Sequence, residues 1–349
     1  MNTPWGYPDF DAHQALHFVT DQASGLRAII ALHSTHLGPA AGGTRFWHYA
    51  DDADALTDAL RLSRGMSYKN AMAGLPLGGG KAVILANADR AKSPELLAAF
   101  GHAIDRLGGN YVTAEDVGMS VADMIAIREQ TRFVAGLPAE GGEVGGDPGP
   151  HTSLGVFLGI RAAVRRALGK DSLSGLHLAL QGAGSVAGGV ARLAAAEGAK
   201  LSIADVDAGR VQRLADETGA TIVSPDAILS LEADILSPCA LGAILTEASI
   251  ASLNTPIIAG GANNQLATRD DGRRIAARGI LYAPDYVINA GGIINVSTEF
   301  LDDGDAGLVR RRIEAIPDRL DTIWAESAAT DRDPAAVADA MAQKLIGRG

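Results

Sequence analysis

The stretch that most constrains the fold is "LHLALQGAGSVAGGVARLAAAEGAKLSIADVD". An apolar strand, Leu176 to Leu180, runs into Gly182-Ala183-Gly184-Ser185-Val186-Ala187, which opens an alanine-rich helix. A second strand, Leu201 to Ala204, ends at Asp205. This is the G-x-G-x-x-A form of the dinucleotide fingerprint. Gly182 allows the tight turn, Gly184 lets backbone approach a pyrophosphate, and the helix that starts at Ser185 and Val186 offers its N-terminus to the anion. Asp205 falls near the expected spacing of about 20 residues, where it accepts from ribose hydroxyls and repels a 2′-phosphate. Strand, helix, strand and acid agree, which predicts NAD rather than NADP as the cofactor.

Beyond Asp205, "ADILSPCA", "TPIIAGGANNQ" and "GILYAPDYVINAGG" read as three more strands ending in small or polar residues. Ligands in open parallel sheets bind beyond the carboxyl ends of strands. Cys239, Asn263 and Asn289 are therefore expected to face cofactor or substrate. Upstream, "SGLRAIIALHS", "KAVILA" and "YVTAED" read as strands. They alternate with helices over "DDADALTDALRLSRGMSYKNAMAG", behind an Asp-rich cap, and "SPELLAAFGHAIDRLGG", capped by Ser93 with Pro94 at its first position. The chain thus predicts two α/β domains. The first covers residues 1–140, the Rossmann domain covers 141–325, and a C-terminal helix over 326–349 packs back on the first; the closing stretches "LVRRRIEAIPDRLDTIWAES" and "DPAAVADAMAQKLIG" read as two helices, the first with Pro317 inside its pattern. The Gly/Pro-rich stretch from Ala139 to Ser153 reads as linker or hinge.

A length of 349 residues accommodates two cores, and a formal net charge of −11 argues against nucleic-acid or anionic-membrane surfaces. One cysteine, Cys239, leaves neither a disulfide nor a Cys cluster for metal. No secretory signal is read at the N-terminus and no apolar run reaches membrane-spanning length, so a cytoplasmic protein is expected. The run "GLPLGGGKAV" is not a P-loop: Leu75 replaces its first glycine and Ala82 its Ser or Thr. Lys81 then needs another reason. A lysine among glycines and apolar residues can be desolvated into a general base, and Lys69 and the pair Glu115-Asp116 are the other polar residues that punctuate the strands and helices of this half. Residue types alone leave both lysines open to a surface reading.

The ordered segments "LGPAAGGTRFW", "GMSYKNAMAGLPLGGGKAVI", "VTAEDVG", "SPCALGAIL", "AGGANNQL" and "APDYVINAGGIINV" resemble the amino-acid dehydrogenase superfamily of glutamate, leucine, phenylalanine and valine dehydrogenases, most of all leucine dehydrogenase. The resemblance implies reversible oxidative deamination of an L-amino acid by NAD, in a homo-oligomer (dimer or octamer), with the active site in a cleft between the domains. It implies Lys81 as the catalytic lysine that activates water and Asp116 as the proton-transfer aspartate. Lys69 would bind the substrate α-carboxylate, helped by Gly42, Gly43 and Asn263. Thr152 would fix the nicotinamide carboxamide, and Asn289 would lie by its ribose. The side-chain pocket would be lined by Ala41, Ala114, Ile293 and Val296. All are apolar, which excludes a glutamate side chain. Ala41 stands where leucine dehydrogenases usually carry leucine, and Ile293 where they usually carry valine. The alternatives are an aromatic-preferring member of the same family, a 2-hydroxy-acid dehydrogenase, or a non-catalytic NAD-binding regulator.

Overall fold

The computed structural model describes residues 3–86, 92–137, 147–301 and 305–348. Most of the expected hinge, from Ala139 to Gly146, lies outside these residues. The chain divides into two compact units. One comprises Met1–Gly146, Val296–Ala306 and Ala342–Gly349; the other comprises Asp147–Asn295 and Gly307–Met341. No helix among the described residues is long and apolar enough to cross a membrane.

In the first unit the described strands are β1 (Ala15–Asp21), β2 (Leu26–Ser34), β3 (Ala40–Ala41), β4 (Thr44–Trp47), β5 (Gly78–Leu85) and β6 (Tyr111–Val112). They order as β1-β2-β5-β3-β6, with β4 also paired to β5. β1 and β2 run antiparallel, β2 runs antiparallel to β5, and the remaining pairs are parallel. The helices are α1 (Asp52–Met72), α2 (Pro94–Asp105) and α3 (Val121–Arg128). Their starts are those the caps predict: Asp51 accepts from the Asp54 N–H, and Ser93 accepts from the Leu96 N–H.

Strand side chains alternate between faces, so residue parity sorts this sheet. Ile29 and Ala31 of β2 and Val83 and Leu85 of β5 pack with Ala55, Leu56, Ala59 and Leu60 of α1. Ala28, Ile30, Ala82 and Ile84 pack on the other face with Leu96, Phe100 and Ile104 of α2 and Met124 and Ile127 of α3. Each of these large side chains contributes roughly 1.5–3 kcal/mol by leaving water. Lys81 shares parity with Val83 and Leu85, which assigns it to the α1 face.

The second unit opens with α4 (Gly149–Leu168), followed by β7 (His177–Gln181), α5 (Ser185–Ala196), β8 (Lys200–Ala204), α6 (Ala208–Thr218), β9 (Thr221–Ile222) and β10 (Ile235–Pro238). Then come α7 (Glu247–Ser252), β11 (Ile257–Ile258), α8 (Arg269–Ala277), β12 (Leu281–Tyr282), α9 (Asp285–Ile288) and α10 (Gly291–Phe300). The chain closes with α11 (Ala306–Glu314), α12 (Ile316–Thr330) and α13 (Pro334–Leu345). Its sheet is parallel throughout and ordered β12-β11-β10-β7-β8-β9. That is the doubly wound Rossmann order, with the β7 and β10 strand ends at the switch point.

Three boundaries differ from the sequence reading. Residues 149–153 belong to α4 rather than to a linker, because Pro150 fits a first helical turn, where no N–H is needed. Pro317 does not sit inside one helix: α11 ends at Glu314 and α12 begins at Ile316 with the proline in its first turn. The chain returns to the first unit from Ala342 rather than from 326, and Val296–Ala306 belongs to that unit as well. α12 stays with the second unit because Trp324 is buried there and donates its indole N–H to the Tyr282 carbonyl at 2.8 Å.

Candidate active site

The glycines before Lys81 explain its burial. A Cβ on Gly79 would overlap the Ser67 backbone nitrogen of α1, and one on Gly80 would lie 2.8 Å from the Tyr111 ring. The last turns of α1 therefore lie directly on β5, where Asn70 donates to the Gly78 carbonyl at 2.6 Å. Lys69 rides on this turn and Lys81 follows two residues after Gly79. Lys81 is 3% exposed.

The Lys81 ammonium contacts the Asp116 carboxylate, which is 21% exposed. Burial, first, and then the positive charge of Arg45 push Lys81 down to about 7; Asp58 opposes this and Lys69 adds to it. A lysine of that kind can give and take a proton near neutral pH, and its partner Asp116 is the more exposed member of the pair. Asp116 is held in turn: its Oδ1 accepts from the Val117 N–H at 2.6 Å and from Arg45 Nε at 3.3 Å.

Gly43 sits against this pair, since an added Cβ would lie 2.6 Å from the Glu115 carbonyl and 3.0 Å from the Asp116 Cβ. Gly42 abuts Gly80, and its carbonyl accepts from the Tyr111 hydroxyl at 2.6 Å. Ala41 is buried on β3. Ala114 and Val296 meet around Gly136, where an added Cβ would lie 4.0 and 3.8 Å from them. The Glu299 carboxylate fixes that corner by accepting the Gly136 and Leu137 N–H groups, each at 3.1 Å. The first unit thus brings together Lys69, Lys81, Asp116, Gly42, Gly43, Ala41, Ala114 and Val296. Ile293 precedes Val296 by one turn on α10 and belongs to the second unit.

The second unit gathers the remaining residues at its strand ends. Gly182 takes φ +107°, and an added Cβ would crowd Ala240 and Cys239, whereas Gly184 faces open space with nothing within 4 Å. Asp205 accepts the Ala183 N–H at 2.7 Å and the Asp207 N–H at 2.9 Å, so the acid also braces the glycine turn. Arg210 lies 3.7 Å from it. Ser185 heads α5 and packs on Gly149 of α4, and Val186 lies against Gly261. Thr152 donates to the Pro148 carbonyl at 2.9 Å and abuts Gly292 at the start of α10.

Cys239, just past β10, accepts the Gly261 N–H at 3.3 Å, and burial raises its thiol pKa, so it packs rather than reacts. Asn289 donates to the Gly261 carbonyl at 3.1 Å and to Asn263 Oδ1 at 2.7 Å. Those two acceptors fix its amide orientation and leave Asn289 Oδ1 buried with no hydrogen-bond partner among the described residues. Asn263 therefore stands with the strand-end asparagine of its own unit. A buried acceptor at the end of α9, left unpartnered among the described residues, fits a donor on a nicotinamide dinucleotide, as does the room beside Gly184.

Reading the sequence did not single out Arg45, Tyr49, Asp58, Gly136 or Glu299. Arg45 lay in the quoted "GGTRFW", and Asp58 among acids read as a helix start. Only pairing across elements reveals them.

Known proteins match both halves. The model described as "Glu/Leu/Phe/Val dehydrogenase, dimerisation domain" matches residues 13–133, and that described as "Glutamate/Leucine/Phenylalanine/Valine dehydrogenase" matches residues 201–342. The chain is 46% identical to the leucine dehydrogenase of Geobacillus stearothermophilus over 97% of its own length and 91% of the relative's. It is 43% identical to the valine dehydrogenase of Streptomyces albus over 97% and 94%. The crystal structure of the L-tryptophan dehydrogenase of Nostoc punctiforme superposes with a TM-score of 0.85 at 40% identity, covering 96% of each chain. The protein is thus an oxidoreductase, a nicotinamide-dependent amino-acid dehydrogenase. The chain belongs to the Glu/Leu/Phe/Val dehydrogenase family.

Proposed function

We propose that the chain deaminates a branched-chain L-amino acid, namely leucine, valine or isoleucine, with NAD⁺ and water. The products are the 2-oxo acid, ammonium, NADH and a proton, and the reaction is reversible. The observation that carries this reading is the buried Lys81 in contact with Asp116, in the unit where the Ala114 and Val296 side chains meet around Gly136 and the one carboxylate at that corner, Glu299, is already taken by backbone N–H groups. An apolar corner offers a glutamate side chain no partner for its charge. Leucine and valine dehydrogenases are among the relatives most similar to this chain.

A bound dinucleotide would be held by Gly182, Gly184, the α5 N-terminus at Ser185 and Val186, Asp205, Thr152 and Asn289, and would take up the α-hydride. The other steps are this chain's own. Lys69 pairs with the α-carboxylate near Gly42 and Gly43. Neutral Lys81 takes a proton from the water that adds to the imine carbon, then returns one as ammonia leaves, and Asp116 exchanges that proton with solvent. Asp205 supports NAD over NADP by opposing a 2′-phosphate, and Arg210 is already drawn to Asp205 and Asp207. Self-association through the edge strand β1, where Phe18 is 61% exposed, is part of the same reading.

A second reading is a larger, aromatic substrate: Gly136 and Ala41 are small, and the Nostoc relative acts on tryptophan. The test is NADH formation from L-leucine, L-valine, L-isoleucine, L-phenylalanine, L-tryptophan and L-glutamate, with NADP⁺ in parallel. Highest kcat/KM for an aliphatic branched substrate with NAD⁺ is expected. A preference for tryptophan or phenylalanine selects the second reading, and silence across the panel removes both.

A further inference from the structure

Behind the lysine–aspartate pair runs a chain of polar groups with no counterpart in the steps above. Tyr49 donates its hydroxyl to Asp58 Oδ2 at 2.7 Å. Asp58 accepts Arg45 Nη1 through both oxygens, at 3.0 and 3.3 Å. Arg45 Nε reaches Asp116 Oδ1 at 3.3 Å, and Asp116 Oδ2 contacts Lys81. The links come from β4, the β4–α1 connection, α1, the loop after β6, and β5. Arg45, Asp58 and Tyr49 also line a cavity of about 500 Å³.

We propose that Arg45 and Asp58 are positioning residues for proton transfer: Arg45 turns the Asp116 carboxylate so that one oxygen faces Lys81, and Asp58, steadied by Tyr49, holds Arg45 in place. The proposal rests on the catalytic reading of Lys81 and Asp116. Asp116 sits on a loop, where a carboxylate left alone would rotate. The Val117 N–H and Arg45 Nε both occupy Oδ1 and leave Oδ2 to the lysine. A guanidinium can do this because Nε and Nη1 point in different directions, so one side chain spans two carboxylates; a lysine has a single nitrogen to offer.

The arrangement also sets charge around Lys81. Arg45 on β4 and Lys69 on α1 disfavour its ammonium; Asp58 on α1 and Asp116 favour it. Removing Arg45 and removing the charge of Asp58 must therefore move the lysine's titration in opposite directions. A merely structural role predicts no such pair of shifts.

The experiment is the pH dependence of kcat and kcat/KM, with NAD⁺ and the best substrate of the panel, for wild type, Arg45→Gln, Arg45→Lys and Asp58→Asn. Arg45→Gln is expected to raise the acid limb by about one pH unit, a roughly fivefold fall in kcat/KM at pH 7. Its kcat should drop while KM stays near wild type, because Lys69 still holds the carboxylate. Arg45→Lys should restore the limb but not kcat, since charge returns without the two-way grip. Asp58→Asn should lower the limb. Limbs that stay put, or move together in the two charge-removing variants, overturn the proposal. Should Arg45→Gln fail to fold by circular dichroism, an unmoved limb in Asp58→Asn alone overturns it. A Lys81→Ala enzyme with wild-type turnover, or a wild type silent on the panel, refutes the underlying reading instead.

Discussion

Gly78–Gly80, which opens β5, and Gly184, in the turn after β7, both belong to glycine-rich runs at a buried strand, yet they are glycine for opposite reasons. At Gly78 and Gly79 an added Cβ would overlap backbone atoms of Ser34 and Ser67, and at Gly80 it would press on the Tyr111 ring. At Gly184 it would meet nothing within 4 Å. The first run is filled by the protein itself, which draws α1 onto β5 and excludes water from Lys81. In the second run only Gly184 is left open, and that opening is the room the proposed dinucleotide would take. Glycine content alone does not separate the two uses; the surroundings of the absent side chain do.

Substitutions can break this contrast. The largest effect is expected at the residue the filled run serves: Lys81→Ala should lose about 10²–10⁴-fold in kcat while NADH affinity, measured by fluorescence quenching, stays near wild type. Next comes the packing itself. Gly79→Ala should cost about 3 kcal/mol of stability, read as a lower urea midpoint, because the clash is with backbone that cannot rotate away. Gly184→Ala should do the reverse: an unchanged or slightly raised midpoint, with NADH binding weaker by roughly tenfold, or about 1.4 kcal/mol. Equal stability losses at Gly79 and Gly184 would dissolve the comparison. The smallest effect is expected at the pocket, where Ala41→Leu should shift the leucine-to-phenylalanine ratio of kcat/KM by about 1–3 kcal/mol toward leucine, measured in paired assays.

Legibility in the sequence followed how local each signal was. The Leu176–Asp205 segment announced itself because strand, turn, helix and acid are contiguous, and the structure gives β7, α5 and β8 there. The helix caps at Asp51 and Ser93 were equally local. β1 went unread because it is only half-buried and carries no continuous apolar run, and β9, two exposed residues, gives almost no pattern. In the candidate site, composition left Lys69 and Lys81 as readily on the surface as inside. Family resemblance singled them out, and the burial of Lys81 supports that choice for it. Arg45, Asp58 and Tyr49 lay beyond reach for a different reason: their pairing joins β4, the strand–helix connection and the α1 face, and no spacing rule encodes which acid an arginine will meet.

Cys239 is the single cysteine of the chain, partly buried past the end of β10 with its sulfur accepting the Gly261 N–H. A thiol reagent reacts only with an accessible thiolate, so the rate of labelling at this position times how often the strand ends of the second unit loosen. A dinucleotide seated there is expected to slow that clock in proportion to its occupancy. Slower labelling with NADH present would thus report cofactor binding whether or not a substrate is ever turned over.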